Sequence, residues 1–158
     1  MPRNTLVRQV MTTDVLTFRP HDTVEMAARS LSERRLGGAP VVDDAGAVVG
    51  LLEDDDLIVQ DTRLHMPTVI SVFGAYLELP SSLHRFEDDL RKAVGATVAD
   101  VMDAGAPTCR EEDTLETVAT GLHERNASRM AVVDDDGRLV GIVSRGDLVR
   151  AIVGGGGD

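Results

Sequence analysis

The sequence predicts an α/β fold made of two copies of one small unit, each ordered strand, helix, strand, strand, helix. Three observations predict it. The chain repeats itself without a gap, each copy holds two valine-rich runs around an acidic glycine turn, and each copy opens an amphipathic helix with the same Asp-Thr-x-Glu signal.

The repeat is the strongest of the three. A shift of roughly ninety residues lays 7–58 on 98–149, with roughly two positions in five identical. Val10-Met11 meets Val101-Met102, Asp22-Thr23 meets Asp113-Thr114, and Glu33-Arg34 meets Glu124-Arg125. Val41-Val42-Asp43-Asp44 meets Val132-Val133-Asp134-Asp135, Val49-Gly50 meets Val140-Gly141, and Asp56-Leu57 meets Asp147-Leu148. This divides the chain into a first repeat over 1–59, an insert over 60–96, a second repeat over 97–153 and a disordered glycine tail over 154–158.

In chain order, a short helix is expected from Thr5 to Met11 and from Thr97 to Met102, each opened by a threonine cap. Short extended segments follow at Val15–Phe18 and Pro107–Cys109. Asp-Thr-x-Glu then reads as a capping box, Asp accepting from the first turn and Glu reaching back. Val24, Ala27, Ala28 and Leu31 stripe the first helix, and Leu115, Val118, Ala119 and Leu122 the second. The first is expected to stop near Gly37-Gly38. Ala39–Val42 with Val48–Leu52, and Met130–Val133 with Leu139–Val143, read as hairpins. Last helices begin near Asp54 and Arg145. A sheet this narrow leaves an apolar face uncovered in one copy, so the two copies should pack together. The insert reads as helical, with Leu83, Phe86, Leu90 and Val94 in a stripe that ends at Gly95.

Composition removes several functions. The 158 residues carry a formal net charge of −11, which opposes nucleic-acid phosphates and anionic membranes. There is no Trp, one Tyr and three Phe, too few for base-stacking platforms. Cys109 is the single cysteine, so no internal disulfide forms. The N-terminal residues do not read as a signal peptide and no apolar run approaches a membrane span, so a cytoplasmic location is expected.

The combination of Val-Met, Asp-Thr-x-x-x-Ala, Pro-Val-Val-Asp, Val-Gly and Gly141-Ile142-Val143-Ser144-Arg145-Gly146-Asp147 resembles the CBS domain, and two in tandem resemble a Bateman module. The resemblance covers both repeats and leaves the insert outside. It implies two units about a pseudo-two-fold axis, clefts between them for AMP, ADP, ATP or related adenosyl compounds, and a homodimer. The ligand is regulatory, an adenine nucleotide alone or with Mg²⁺, and no cofactor is required.

The residue chemistry suits this. Ser144 and Asp147 stand where a strand becomes a helix, and first-turn amides with the helix dipole favour an anion there. An ionised Asp147 can accept from both ribose hydroxyls, and Arg145 adds charge for a phosphate. The same Ser144 also reads as an ordinary helix cap. By family analogy Thr13, Asp14, Val15, Gly38, Ala39 and Pro40 complete the Asp147 cleft. Asp56, Ala106, Pro107, Arg129 and Met130 form a weaker second cleft, where Glu53 replaces the serine and repels phosphate.

Neither catalysis nor a metal site is expected. The four histidines are scattered, the acidic runs Asp54–Asp56 and Asp134–Asp136 sit where Asp is common for local reasons, and no nucleophile or dinucleotide motif is present. Two readings stand: a regulatory adenosyl-nucleotide sensor read out by a separate effector protein, and a ligand-free interaction module that regulates a separate enzyme or transporter.

Overall fold

The computed structural model describes residues 4–54, 56–57 and 96–154. The expected insert helix and the glycine tail beyond Gly154 lie outside the described residues.

The elements run α1 (Val24–Arg34), β1 (Gly38–Val42), β2 (Val48–Glu53), α2 (Val98–Val101), β3 (Thr108–Cys109), α3 (Leu115–Arg125), β4 (Arg129–Val133), β5 (Leu139–Ser144) and α4 (Arg145–Gly154). A 3-10 turn at Val7–Gln9 precedes them. In the second repeat β3 lies parallel to β4, which pairs antiparallel with β5. In the first, β1 and β2 form the antiparallel pair, and Phe18 alone bridges to Val41 in the place β3 takes in its counterpart.

Local chemistry explains the boundaries, with some differences from expectation. Thr23 and Thr114, not the aspartates before them, cap the two long helices by accepting from the amides of Met26 and Thr117. Asp22 and Asp113 instead fold back onto the amides of Arg19 and Arg110, at 2.8 Å each. Glu25 pairs with Arg29 one turn on instead of reaching back. Helix α1 ends two residues before the expected glycine, on Arg35 in the left-handed region, and Asn126 does the same for α3. The first expected helix shrinks to a single 3-10 turn that starts after Leu6 rather than Thr5, and the carbonyl of Thr5 accepts from Leu115 of the other repeat.

Each hairpin turn is held by one aspartate. Asp43 Oδ1 accepts from the amides of Ala45 and Ala47, and Asp134 Oδ1 from those of Asp136 and Arg138. Gly46 and Gly137 supply the positive φ that closes each turn. The two turns then meet, Val48 donating to Gly137 and Leu139 to Gly46 at 3.0 Å each.

The repeats exchange their opening segments. Val7 is fully buried in the core of the second repeat, with Leu115, Val118, Val132 and Val143. Val98 is fully buried in the core of the first, with Phe18, Ala27, Val41 and Leu52. Backbone bonds fix the exchange in matching pairs. Val7 donates to Asp113 and Val98 to Asp22; Thr12 pairs with Ile142 and Asp103 with Leu51 through two bonds each. Burying a valine or leucine contributes about 1.5–3 kcal/mol, so neither core is complete without the other repeat's opening turn.

The Val-Met and Val-Gly signatures meet at these crossings. A side chain on Gly141 would stand 2.8 Å from Met11 Sδ and 2.9 Å from the carbonyl of Thr12; one on Gly50 would stand 2.7 Å from Met102 Sδ. Gly141→Ala is therefore expected to cost about 1–3 kcal/mol of overpacking in urea unfolding. Gly105→Ala, whose added carbon comes no closer than 3.7 Å to Asp103, is expected to be near neutral. Equal stability of the two variants would contradict the crossing.

Cys109 lies buried on β3 with its thiol toward the carbonyl of Ala131. Burial, helped by the Asp113 carboxylate, pushes it up to about 12 from an ordinary 9.0. The folded protein therefore holds this proton where the unfolded chain releases it, and stability should decline as pH rises through about 9 toward 12. Cys109→Ala should lack that component of the alkaline loss. An identical pH slope in both proteins, or rapid reaction of the folded thiol with a disulfide reagent at pH 8, would contradict the assignment.

Candidate functional site

The exchange creates two equivalent corners. At each, the end of a hairpin and the start of the following helix come from one repeat. The segment after the opening turn, and the left-handed turn after the long helix, come from the other. A cavity occupies each corner.

The larger, about 280 Å³, is lined by Ile142, Ser144, Asp147, Arg150 and Arg129 of the second repeat and by Thr12, Asp14, Val15, Leu16 and Arg35–Gly38 of the first. The smaller, about 160 Å³, is lined by Leu51, Glu53 and Asp56 of the first repeat and by Asp103, Ala106, Pro107 and Arg125–Ala127 of the second. The sequence-predicted residues that line the larger cavity are thus Ser144, Asp147, Asp14, Val15 and Gly38, and those that line the smaller are Asp56, Ala106 and Pro107.

The others lie elsewhere. Ala39 and Pro40 are buried, paired with Leu52 and Leu51 in the β1–β2 ladder. Met130 is core in the second repeat, opposite Val143. Thr13 is exposed while its neighbour Thr12, which makes the backbone bridge to Ile142, lines the cavity. Arg145 donates its Nε to the carbonyl of Ala127, a group left over where α3 ends, and does not line the larger cavity. Arg129 belongs to the larger cavity rather than the smaller, since β4 places it opposite Ser144. Sequence reasoning missed Arg35 and Arg150 outright. Arg35 would have followed from the helix's stopping two residues early. Arg150 follows from its i+3 spacing from Asp147.

The corner at α4 is a closed capping box. Asp147 Oδ2 accepts from the Ser144 amide at 2.8 Å and from its hydroxyl at 3.1 Å, while the Asp147 amide donates to Ser144 Oγ at 3.3 Å. Asp147 is buried, and its Oδ1 meets the guanidinium of the largely exposed Arg150. One carboxylate oxygen therefore holds the helix start and the other faces a side chain that can move. In the other corner Asp56 Oδ2 accepts from the Glu53 amide at 2.9 Å in the same way.

Charge separates the two. The larger cavity is lined by three arginines (Arg35, Arg129, Arg150) and two carboxylates (Asp14, Asp147). The smaller has three carboxylates (Glu53, Asp56, Asp103) and one arginine, Arg125, which donates to the carbonyl of Gly105 at 2.8 Å. The guanidinium of Arg129 donates to the carbonyl of Gly38 at 3.2 Å, and its Nε lies 3.9 Å from Glu53 Oε1. Gly37 and Gly38 make room for it: a side chain on Gly37 would stand 2.7 Å from Arg129 Nη2. Among the described residues no cluster of His, Cys, Asp and Glu could hold a metal ion, and no helix is long and apolar enough to cross a membrane.

Known proteins share this plan. An uncharacterized protein of Methanocaldococcus jannaschii, MJ1426, is 27% identical over 94% of this chain and 91% of its own length. The chloroplastic CBS domain-containing protein CBSX1 of Arabidopsis thaliana is 35% identical over 87% of this chain, which spans 59% of that protein. The crystal structure of CBSX2 in complex with AMP superposes with a TM-score of 0.72 at 29% identity, covering 95% of this chain and 97% of that one. The CBS domain family model matches residues 7–60 and again 98–154. The two halves that exchange their opening turns are therefore two CBS domains, and the chain belongs to the CBS domain family.

Proposed function

We propose that this chain is a regulatory module that binds one adenosine nucleotide with a phosphate, AMP in the simplest case, in the Ser144–Asp147 cleft. The observation that carries the reading is the set of three arginines, Arg35, Arg129 and Arg150, that line the Ser144–Asp147 cavity built from both repeats. A phosphate there would meet Arg129 beside the start of α4, while Asp147 Oδ1 exchanges the Arg150 guanidinium for ribose hydroxyls. Val15 and Leu16 offer an apolar surface for a base. At about 280 Å³ the cavity is near the lower end of ligand sites, about 300–1,000 Å³. The AMP-bound CBSX2 supports the same ligand class.

Because both repeats line the cleft, a ligand there biases their relative position by its differential affinity for the two arrangements. Output then needs a listener. Val149, Ile152 and Val153 leave an exposed apolar face on α4, which suits a homodimer or an effector protein in the cytoplasm. A monomer by light scattering at tens of micromolar, with and without AMP, would count against the dimer. Catalysis is no part of this reading, since Asp147 and Asp56 serve as helix caps and the buried thiol is inert.

Titration calorimetry with AMP tests the ligand. The parent should take up close to one AMP per chain. Asp147→Ala should weaken binding at least about tenfold, since each charge-assisted hydrogen bond contributes about 1.5–3 kcal/mol. Glu53→Thr, which removes the misplaced carboxylate, should bring the stoichiometry toward two. No AMP uptake at millimolar concentration rejects the nucleotide reading; unchanged affinity in Asp147→Ala rejects the ribose contact; two equally tight sites in the parent reject the charge argument.

A further inference from the structure

We propose that the Glu53–Arg129 ion pair couples the two cavities, so that an anionic adenosyl ligand in the larger and a cationic one in the smaller strengthen each other. The inference rests on the reading that the larger cavity takes a nucleotide phosphate.

The pair is the one ion pair among the described residues that has a partner lining each cavity: Arg129 lines the larger, Glu53 the smaller. Both side chains are largely removed from water, at 16% and 17% exposure, so their mutual charge is poorly screened. The geometry is nevertheless loose. Nε and Oε1 stand 3.9 Å apart, beyond hydrogen-bond reach, and the buried Nε has no hydrogen-bond partner. Arg129 thus holds an unspent donor in a setting where a partner matters. Its guanidinium lies over Gly37 and Gly38, held there by a 3.2 Å bond to the carbonyl of Gly38.

A phosphate entering the larger cavity competes with Glu53 for this guanidinium. Once the arginine turns to the phosphate, Glu53 loses part of its compensating charge. The smaller cavity already holds Asp56 and Asp103, and Arg125 is engaged with the carbonyl of Gly105. Its potential becomes more negative, which favours a ligand bearing positive charge and disfavours a second phosphate. Linkage makes the effect reciprocal: a cation beside Glu53 weakens its hold on Arg129 and releases the arginine for the phosphate. The asymmetry has a sequence cause, since the position in the first repeat that corresponds to Arg129 is Gly38 and sends no arginine to the smaller cavity.

The test uses the whole chain, with AMP as the anionic probe and S-adenosylmethionine, a sulfonium, as the cationic one. Saturation with AMP should raise S-adenosylmethionine affinity at least about fivefold, the lower end of ordinary coupling. The reverse titration should give the same factor. Glu53→Gln, which keeps the shape of the side chain, should bind AMP more tightly in the larger cavity and reduce the coupling factor toward one. AMP binding with S-adenosylmethionine affinity unchanged or weakened, or no S-adenosylmethionine binding in either state, overturns the coupling and leaves the nucleotide reading standing. Absence of AMP binding overturns both. The parent titrations decide the matter even if Glu53→Gln does not fold.

Discussion

Each repeat lacks one piece of its own core, and the other repeat supplies it. Val7 and Val98 are both fully buried, and each sits among the side chains of the opposite half. A three-stranded sheet with two small helices buries too little apolar surface to stand alone. The exchange adds the other repeat's opening turn to each core and spends two backbone bridges, at Thr12–Ile142 and Leu51–Asp103, on the seam. The glycines at 50 and 141 are the condition for it, because a methionine and a backbone carbonyl pass where a side chain would be. Both cavities follow from this constraint. They are the spaces left where one repeat's hairpin and helix corner faces the segment that the other repeat has sent across.

Two-fold symmetry sets the positions of the clefts, and a few substitutions set their chemistry. Ser144 corresponds to Glu53, Arg129 to Gly38, and Thr12 to Asp103. These exchanges put arginine and a serine-capped helix on one side and carboxylates on the other. The cap at Ser144 and Asp147 serves the fold whether or not a ligand is present. The ribose contact asks little reorganisation of the helix start, because Asp147 Oδ2 keeps the cap and the exposed Arg150 is what leaves Oδ1.

The repeat and the hairpins were legible in the sequence because they depend on local pattern: valine runs, Asp–Gly turns and a fixed offset. The placement of Ser144, Asp147 and Asp56 at strand-to-helix corners was legible because such a corner carries its own signature. The crossing was legible only as a need for the copies to pack together. Which residue of Thr12 and Thr13 faces the cavity depends on a bridge between positions far apart in sequence. Arg129 was assigned to the smaller cleft, and its true side is set by its register opposite Ser144. Ala39, Pro40 and Met130 carried no signal that distinguishes a ligand contact from core, and packing claimed all three. Arg145 looked like a phosphate ligand from its place in the motif, yet the carbonyl of Ala127 takes it.

The most direct test of this account is a crystal structure of the chain grown with AMP. The account predicts one AMP per chain in the larger cavity, with the ribose hydroxyls on Asp147 Oδ1, the phosphate on Arg129 at the start of α4, and Arg150 displaced. AMP bound beside Glu53 and Asp56 instead, or bound in the larger cavity with its phosphate turned away from Arg129, would contradict it.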